Sequence, residues 1–284
     1  AKNLVRMKKT AILLTTFNRK AITLKCIDSI IRNFDYDKTK FDIYITDSNS
    51  SDGTIEAINE LNYSINIFNI GEDKYWAQGM NLAWEIAKAK YDYDFYIWLN
   101  DDTILFKNAL TIIFGDYKKC KEESILVGVT KKLKQITYGG RLNSIKDDPL
   151  KPSGEIQEAK YINGNFVLIP KKVISKTGFL SNYYSHSLAD IDFGLRCLKK
   201  GIGVYITSDF IGDCEPNEKK ILEKGENILT RFNRINSIKN LPFREYFYFN
   251  LIHFGIFKSI KFTIGYIILI LFPRIYKLYK VKYG

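Results

Sequence analysis

Three stretches of this chain place acidic side chains where carboxylates can do chemistry. Asp101 and Asp102 close the stretch "YIWLNDDT" (96–103), directly after an apolar run and Asn100. Two adjacent carboxylates are unfavourable unless something positive sits beside them. Oxygen ligands of this kind suit Mg²⁺ or Mn²⁺, which take one or two protein carboxylates plus phosphate oxygens. The same residues also make helix caps and turns. Asp47 ends a second apolar run in "ITDSNSSDGT" (45–54), where it can accept a hydrogen bond from a base N–H, while Asp52 and Gly53 read as a turn and helix cap. Asp190 and Asp192 stand two apart in "ADIDFGLR" (189–196). On a helix they do not share a face, so one can act as a base while the other is a charge favoured by the helix dipole. His186 is either a contact to metal or diphosphate or a polar turn residue.

These clusters need strands and helices to hold them. "TAILLTTF" (10–17), "FDIYITD" (41–47), "INIFNI" (65–70) and "DFYIWLN" (94–100) read as buried strands. Helical spacing marks 21–34, 54–62 and 77–89 between them. Strand–helix alternation predicts an α/β fold with a mostly parallel sheet covered on both faces. Ligands then collect at the carboxyl ends of the strands, where "TTFNR", "TDSNSSDG" and "LNDDT" fall. Residues 120–215 are less regular, with a strand at "YINGNFVLIP" (161–170) and a helix near 189–201.

The net charge of +12 is unevenly placed. From Leu241 to Gly284 there are seven Lys or Arg against one Glu, which points to an anionic partner for the tail. That tail is rich in aromatic and branched residues, yet the longest uncharged run after Lys258 and Lys261, "FTIGYIILILF", is too short to span a bilayer. It suits a helix at a membrane interface, or else a helical pair packed on the core. The four cysteines make no CxxC pair, which argues against a zinc site or disulfide scaffold. The opening "AKNLVRM" lacks the apolar segment of a signal peptide.

Taken in order and spacing, "AILLTTFNR", "IYITDSNSSDGT", "YIWLNDDT", "YINGNFVLIP" and "HSLADIDFGLR" resemble the family 2 glycosyltransferases of GT-A fold, of the rhamnosyltransferase-like, bacterial surface-polysaccharide type. The resemblance covers roughly residues 8–215, giving a GT-A domain over 8–217 and a basic, helical, membrane-associating extension over 218–284. It implies that Thr15, Phe17, Asn18, Arg19 and Asp47 hold the nucleotide, with Asn81 and Asp101 contributing. It places the metal, Mn²⁺ or Mg²⁺, at Asp102, with His186 as a second candidate. Trp76, Gly164, Asn165 and Asp192 fall where sugar and acceptor meet, and Asp190 takes the position of the catalytic base. The Glu that usually precedes that base is Ala189 here, and the first residue of the metal-binding D-x-D is Asn100. No QxxRW-like motif is present, so a processive synthase is not expected.

The expected activity is inverting, metal-dependent transfer from a UDP- or dTDP-sugar to a hydroxyl of a glycan or lipid-linked glycan. The expected setting is cytoplasmic and peripheral on the inner face of the cell membrane, through residues 241–284. Two other classes compete. A nucleotidyltransferase would carry a Gly-rich phosphate loop after the first strand, and "TTFNRKA" has no glycine. A nucleic-acid module would gather its basic residues on a stacking or groove-binding face, whereas here they accompany apolar sequence.

Overall fold

The computed structural model describes residues 9–33, 41–121, 123–217 and 225–275. The opening "AKNLVRM", Phe34 and the tail beyond 275 lie outside the described residues. The chain alternates β1 (Thr10–Thr16), α1 (Lys20–Asn33), β2 (Phe41–Asp47), α2 (Thr54–Asn59), β3 (Ile65–Asn69), α3 (Trp76–Lys90) and β4 (Phe95–Leu99). There follow β5 (Ile104–Leu105), α4 (Ala109–Tyr117), β6 (Ser124–Lys132), β7 (Gln135–Tyr138), β8 (Gly140–Arg141), β9 (Gln157–Glu158), β10 (Tyr161–Ile162) and β11 (Phe166–Pro170). The last elements are α5 (Lys171–Thr177), α6 (Ala189–Lys199), β12 (Gly203–Asp213), α7 (Ile228–Ile235), α8 (Phe243–Phe254) and α9 (Ile256–Leu271).

The main sheet runs β3-β2-β1-β4-β11-β6-β12-β5. β1 to β4 pair in parallel, and β11 is antiparallel to both β4 and β6. The α/β architecture read from the sequence is therefore observed. Two long strands of the irregular half, β6 and β12, were not anticipated, and "YINGNFVLIP" divides into β10 and β11 around residues 163–165.

Strands buried on both faces read as continuous apolar runs. Ala11 and Leu13 of β1 join one core with Trp84, Trp98 and Phe193. Ile12 and Leu14 join the other, with Ile27 and Ile30 of α1. The parallel register sets Thr16 beside Asp47 and Leu13 beside Trp98, so β1, β2 and β4 end at one edge. β11 enters from that edge, since Phe166 pairs with Leu99, and so brings residues 163–165 to it.

α8 packs on the larger core through Phe249, and Lys199 Nζ donates to Ile252 O at 3.0 Å. α7 and α9 form a small core of their own around Ile235, Tyr266, Leu269 and Ile270. On α9, Ile256, Phe257, Ile260, Ile264, Ile267 and Leu271 are exposed. No helix among the described residues is long and apolar enough to cross a membrane.

Candidate active site

A cavity of about 540 Å³ opens at the carboxyl edge of the sheet, a volume typical of small-molecule sites. Thr15 and Thr16 line it from the end of β1, Phe17, Asn18 and Arg19 from the loop that follows, and Ser48, Asn49 and Ser51 from the loop after β2. These loops are tied together. Asn18 N donates to Ser50 Oγ at 2.8 Å, and Ser51 N to Asn18 Oδ1 at 2.8 Å. Asn18 and Asn49 hold positive φ, 51° and 64°, a conformation that asparagine adopts more readily than most residues. Phe17 is half exposed at the lip.

The floor carries Asn100, Asp101 and Asp102. Arg19 supplies the positive charge that the carboxylate pair requires. Its Nη1 donates to Asp101 Oδ1 at 3.1 Å and to Asp102 Oδ2 at 2.7 Å. Thr23 Oγ1 adds a bond to Asp101 Oδ2 at 3.3 Å. Burial pushes the Asp101 carboxyl above its usual value, with Arg19 opposing. Two carboxylates that converge on one cation are a donor set that also fits a divalent metal. Among the described residues no three His, Cys, Asp or Glu side chains gather as a complete cage, so phosphate oxygens would have to complete the shell.

Asn100 is committed elsewhere. Its Oδ1 accepts from Trp76 Nε1 at 2.7 Å, which fixes the indole against the cavity wall. Gly164 lies against that ring: a Cβ there would stand 2.4 Å from Trp76 Cζ2 and 3.4 Å from Asp190 Cβ. Gly164 N donates to Asp190 Oδ2 at 2.8 Å, and Ile191 N to Asp190 Oδ1 at 2.8 Å. Burial raises the Asp190 carboxyl above the ordinary aspartate range, and these backbone bonds oppose the rise. Asp190 is the second residue of α6, whose N-cap, Leu188, takes a left-handed φ of 71°. Backbone strain of this kind concentrates at functional sites. His186, two residues earlier, lines the cavity beside Tyr75.

Six of the expected residues do not line the cavity: Gly164, which packs against the lining Trp76, Asp190 beside it, and four that lie elsewhere. Asp47 is fully buried, and its carboxylate accepts from Ser50 N at 2.7 Å and Ser50 Oγ at 2.6 Å, so it shapes the turn behind the lining. Asn81 is buried and donates to Glu85 and Asn182. Asn165 is buried, with its Nδ2 on Cys214 Sγ at 3.5 Å. Asp192, expected where sugar and acceptor meet, is buried, with Arg196 Nε on one carboxylate oxygen at 2.8 Å and His253 Nε2 on the other at 2.8 Å. Burial alone would raise its pKa, but the His253 and Arg196 bonds outweigh that and hold it below the usual range.

Several cavity residues escaped sequence reasoning. Glu72, Asp73 and Lys74 line the site after β3, and the rule that sites form at parallel strand ends was signal enough to find them. Asn217 and Lys239 also line it, and nothing local in the sequence marks Lys239. Cys214 lies against Asp102 Oδ1 at 3.5 Å. Burial pushes its thiol up to about 12. All four cysteines are free thiols.

The model of Glycosyl transferase family 2 matches residues 11–177. A Methanococcus voltae protein, dolichyl N-acetyl-alpha-D-glucosaminyl phosphate 3-beta-D-2,3-diacetamido-2,3-dideoxy-beta-D-glucuronosyltransferase, is 25% identical over 276 residues, covering 94% of this chain and 78% of that protein. The crystal structure of S. aureus TarS superposes with a TM-score of 0.56 at 14% identity, over 72% of this chain and 60% of that one. The Pyrobaculum calidifontis mannosyltransferase PcManGT, solved with GDP-Man and Mn²⁺, gives a TM-score of 0.52 at 10% identity, over 98% of this chain and 84% of that one. These structural likenesses concern the fold. With the family model spanning more than half its length, from the first strand through the carboxylate floor to α5, this chain belongs to glycosyl transferase family 2.

Proposed function

We propose that the protein transfers a sugar from a nucleoside-diphosphate donor to a hydroxyl of a glycan or lipid-linked glycan, with inversion at the anomeric carbon. The observation that carries this reading is the placement of Asp190. A partly buried carboxylate with a raised pKa stands one glycine away from the wall of a cavity whose floor is anionic and whose rim is polar. A TarS structure solved in complex with UDP-GlcNAc and the PcManGT complex with GDP-Man support a donor of this class.

In the reaction, Asp190 removes the proton of the acceptor hydroxyl as its oxygen attacks the anomeric carbon. The bond from that carbon to the diphosphate breaks, and the electron pair leaves on the diphosphate oxygen. A general base contributes about 10²–10⁴-fold. The Gly164 and Ile191 amides keep the carboxylate oriented, and Trp76, pinned by Asn100, bounds the sugar side. Phe17 offers an exposed ring face for the nucleobase. Asp101 and Asp102 would hold Mn²⁺ or Mg²⁺, which would supply positive charge against the departing diphosphate. Arg19 and Lys239 supply fixed positive charge in the same cavity.

The dolichyl phosphate acceptor in the name of the M. voltae relative supports a lipid-linked acceptor. The apolar stripe on α9, with exposed Lys258 and Lys261, supports attachment to the inner face of a membrane. Each cation near an anionic surface contributes about 1 kcal/mol.

Asp190→Asn tests the reading. Transfer falls by about 10²–10⁴ while donor binding by calorimetry stays unchanged. A variant that transfers at the wild-type rate places the base elsewhere.

A further inference from the structure

Helix α8 touches α6 at a point that sequence spacing does not reveal. His253, near its end, is 2% exposed in its side chain, and its Nε2 bonds Asp192 Oδ1 at 2.8 Å. The other oxygen of Asp192 accepts from Arg196 Nε at 2.8 Å, and Arg196 donates onward to Thr177 O and Phe179 O. The second ring nitrogen of His253, Nδ1, is buried without a hydrogen-bond partner. Its surroundings are apolar, with Phe249 at 4.8 Å and Phe254 at 6.3 Å between ring centroids. A buried polar atom left unpaired is costly. A position that only filled space would favour an apolar side chain, so the single bond to Asp192 is what accounts for an imidazole here.

The same helix also seats the segment 181–188 that leads into α6. Ser185 N donates to Glu245 Oε1 at 3.1 Å. Tyr248 stacks on Tyr183 with centroids 3.9 Å apart. Ser185 O in turn accepts from Ala77 N, beside the cavity-lining Trp76. That segment carries His186 to the cavity, and Asp192 lies two residues beyond Asp190 on the first turns of α6. α8 therefore holds both the approach to α6 and its opening turns.

We propose that His253 is a positioning residue for sugar transfer: by clamping Asp192 it sets the first turns of α6, so that α8 fixes where the Asp190 carboxylate points. The proposal rests on the reading of Asp190 as the base. It makes the C-terminal helices part of the catalytic architecture as well as a means of attachment. Errors of about 1 Å at a reacting group can cost about 10²-fold, so a lost clamp is read in turnover before it is read in donor affinity.

The experiment compares His253→Phe, which keeps a ring without a donor, with His253→Gln, whose amide can still donate to Asp192. Asp190→Asn is measured alongside in the full-length chain. His253→Phe is expected to lower kcat at least tenfold, with the donor KM and the calorimetric Kd for UDP within twofold of wild type. His253→Gln is expected to recover most of the loss. Wild-type kcat in His253→Phe overturns the proposal, and so does equal loss in both variants or a change confined to KM. Should His253→Phe fail to fold, Asp192→Asn breaks the same clamp from the other side, and wild-type kcat there overturns it equally. An inactive Asp190→Asn beside a fully active His253→Phe leaves the base standing and removes the clamp. An active Asp190→Asn removes both.

Discussion

Gly164→Ala is the sharpest perturbation of the site, because the structure fixes what the added methyl would meet. The new Cβ would stand 2.4 Å from Trp76 Cζ2, 2.5 Å from Trp76 Cη2 and 3.4 Å from Asp190 Cβ. Carbon atoms are comfortable at about 3.5–4.0 Å, so the ring or residue 164 must retreat by about 1 Å. The ring is not free to do so. Trp76 Nε1 is bonded to Asn100 Oδ1 at 2.7 Å, and its indole packs edge-on against Trp98 with centroids 6.1 Å apart. If the backbone yields instead, the Gly164 N–H that orients Asp190 moves with it. Overpacking of this kind costs about 1–3 kcal/mol of stability, which lowers the unfolding midpoint by about 2–4 °C per kcal/mol. A shift of the base by part of an ångström costs turnover of about 10- to 100-fold, or about 1.4–2.7 kcal/mol of barrier. Steady-state release of nucleoside diphosphate, paired with calorimetric nucleotide binding, separates the effects: kcat falls and the nucleotide Kd moves little. A variant with wild-type kcat and an unchanged unfolding midpoint would refute the packing of Gly164 between Trp76 and the base.

Arg19→Ala leaves Asp101, 5% exposed, beside Asp102 without its cation. The folded carboxyl is already raised by burial, and losing Arg19 raises it further, so the penalty falls on the ionised form and fades as pH drops. Thermal unfolding is expected to show a deficit at pH 7 that narrows toward pH 5 and shrinks on adding Mn²⁺; a deficit independent of pH contradicts the pairing. For Asp190, burial raises the folded pKa, and a carboxylate in the proposed role of base works only when ionised. The acid limb of kcat/KM therefore lies above the ordinary aspartate value of 3.8, and activity undiminished down to pH 4 would count against it. Ile260→Glu with Ile264→Glu places charge on the exposed stripe of α9; sedimentation with anionic liposomes is expected to fall, and full retention contradicts the membrane-facing assignment.

The elements that hold the site were legible where one strand carries its own signal. β1, β2 and β4 are buried on both faces, so their apolar runs announce them, and the loops at their ends contain Arg19, Ser48 and Asp101. β12 was hidden because its register against β6 shifts between Ile206 and Phe210 and again before Gly212, which breaks the alternation. "YINGNFVLIP" read as one strand because nothing in it shows that Gly164 must face Trp76 and Asp190. The carboxylate pair at 101 and 102 did need a cation, but the one supplied within the chain is Arg19, 82 residues away from Asp101. Asp192 is expected among the acceptor contacts, and its carboxylate also bonds Arg196 and His253, the latter 61 residues further along. Such pairings depend on how helices pack, which local spacing does not encode.

The central claim is that the cavity at the strand ends binds a nucleoside diphosphate over a metal-ready pair of carboxylates. Calorimetry with UDP, dTDP, GDP and CDP, each with and without Mn²⁺, tests it most directly. The account predicts micromolar binding of one of them that requires the metal and is lost in Asp102→Ala. Failure of all four to bind, with or without Mn²⁺, would contradict it.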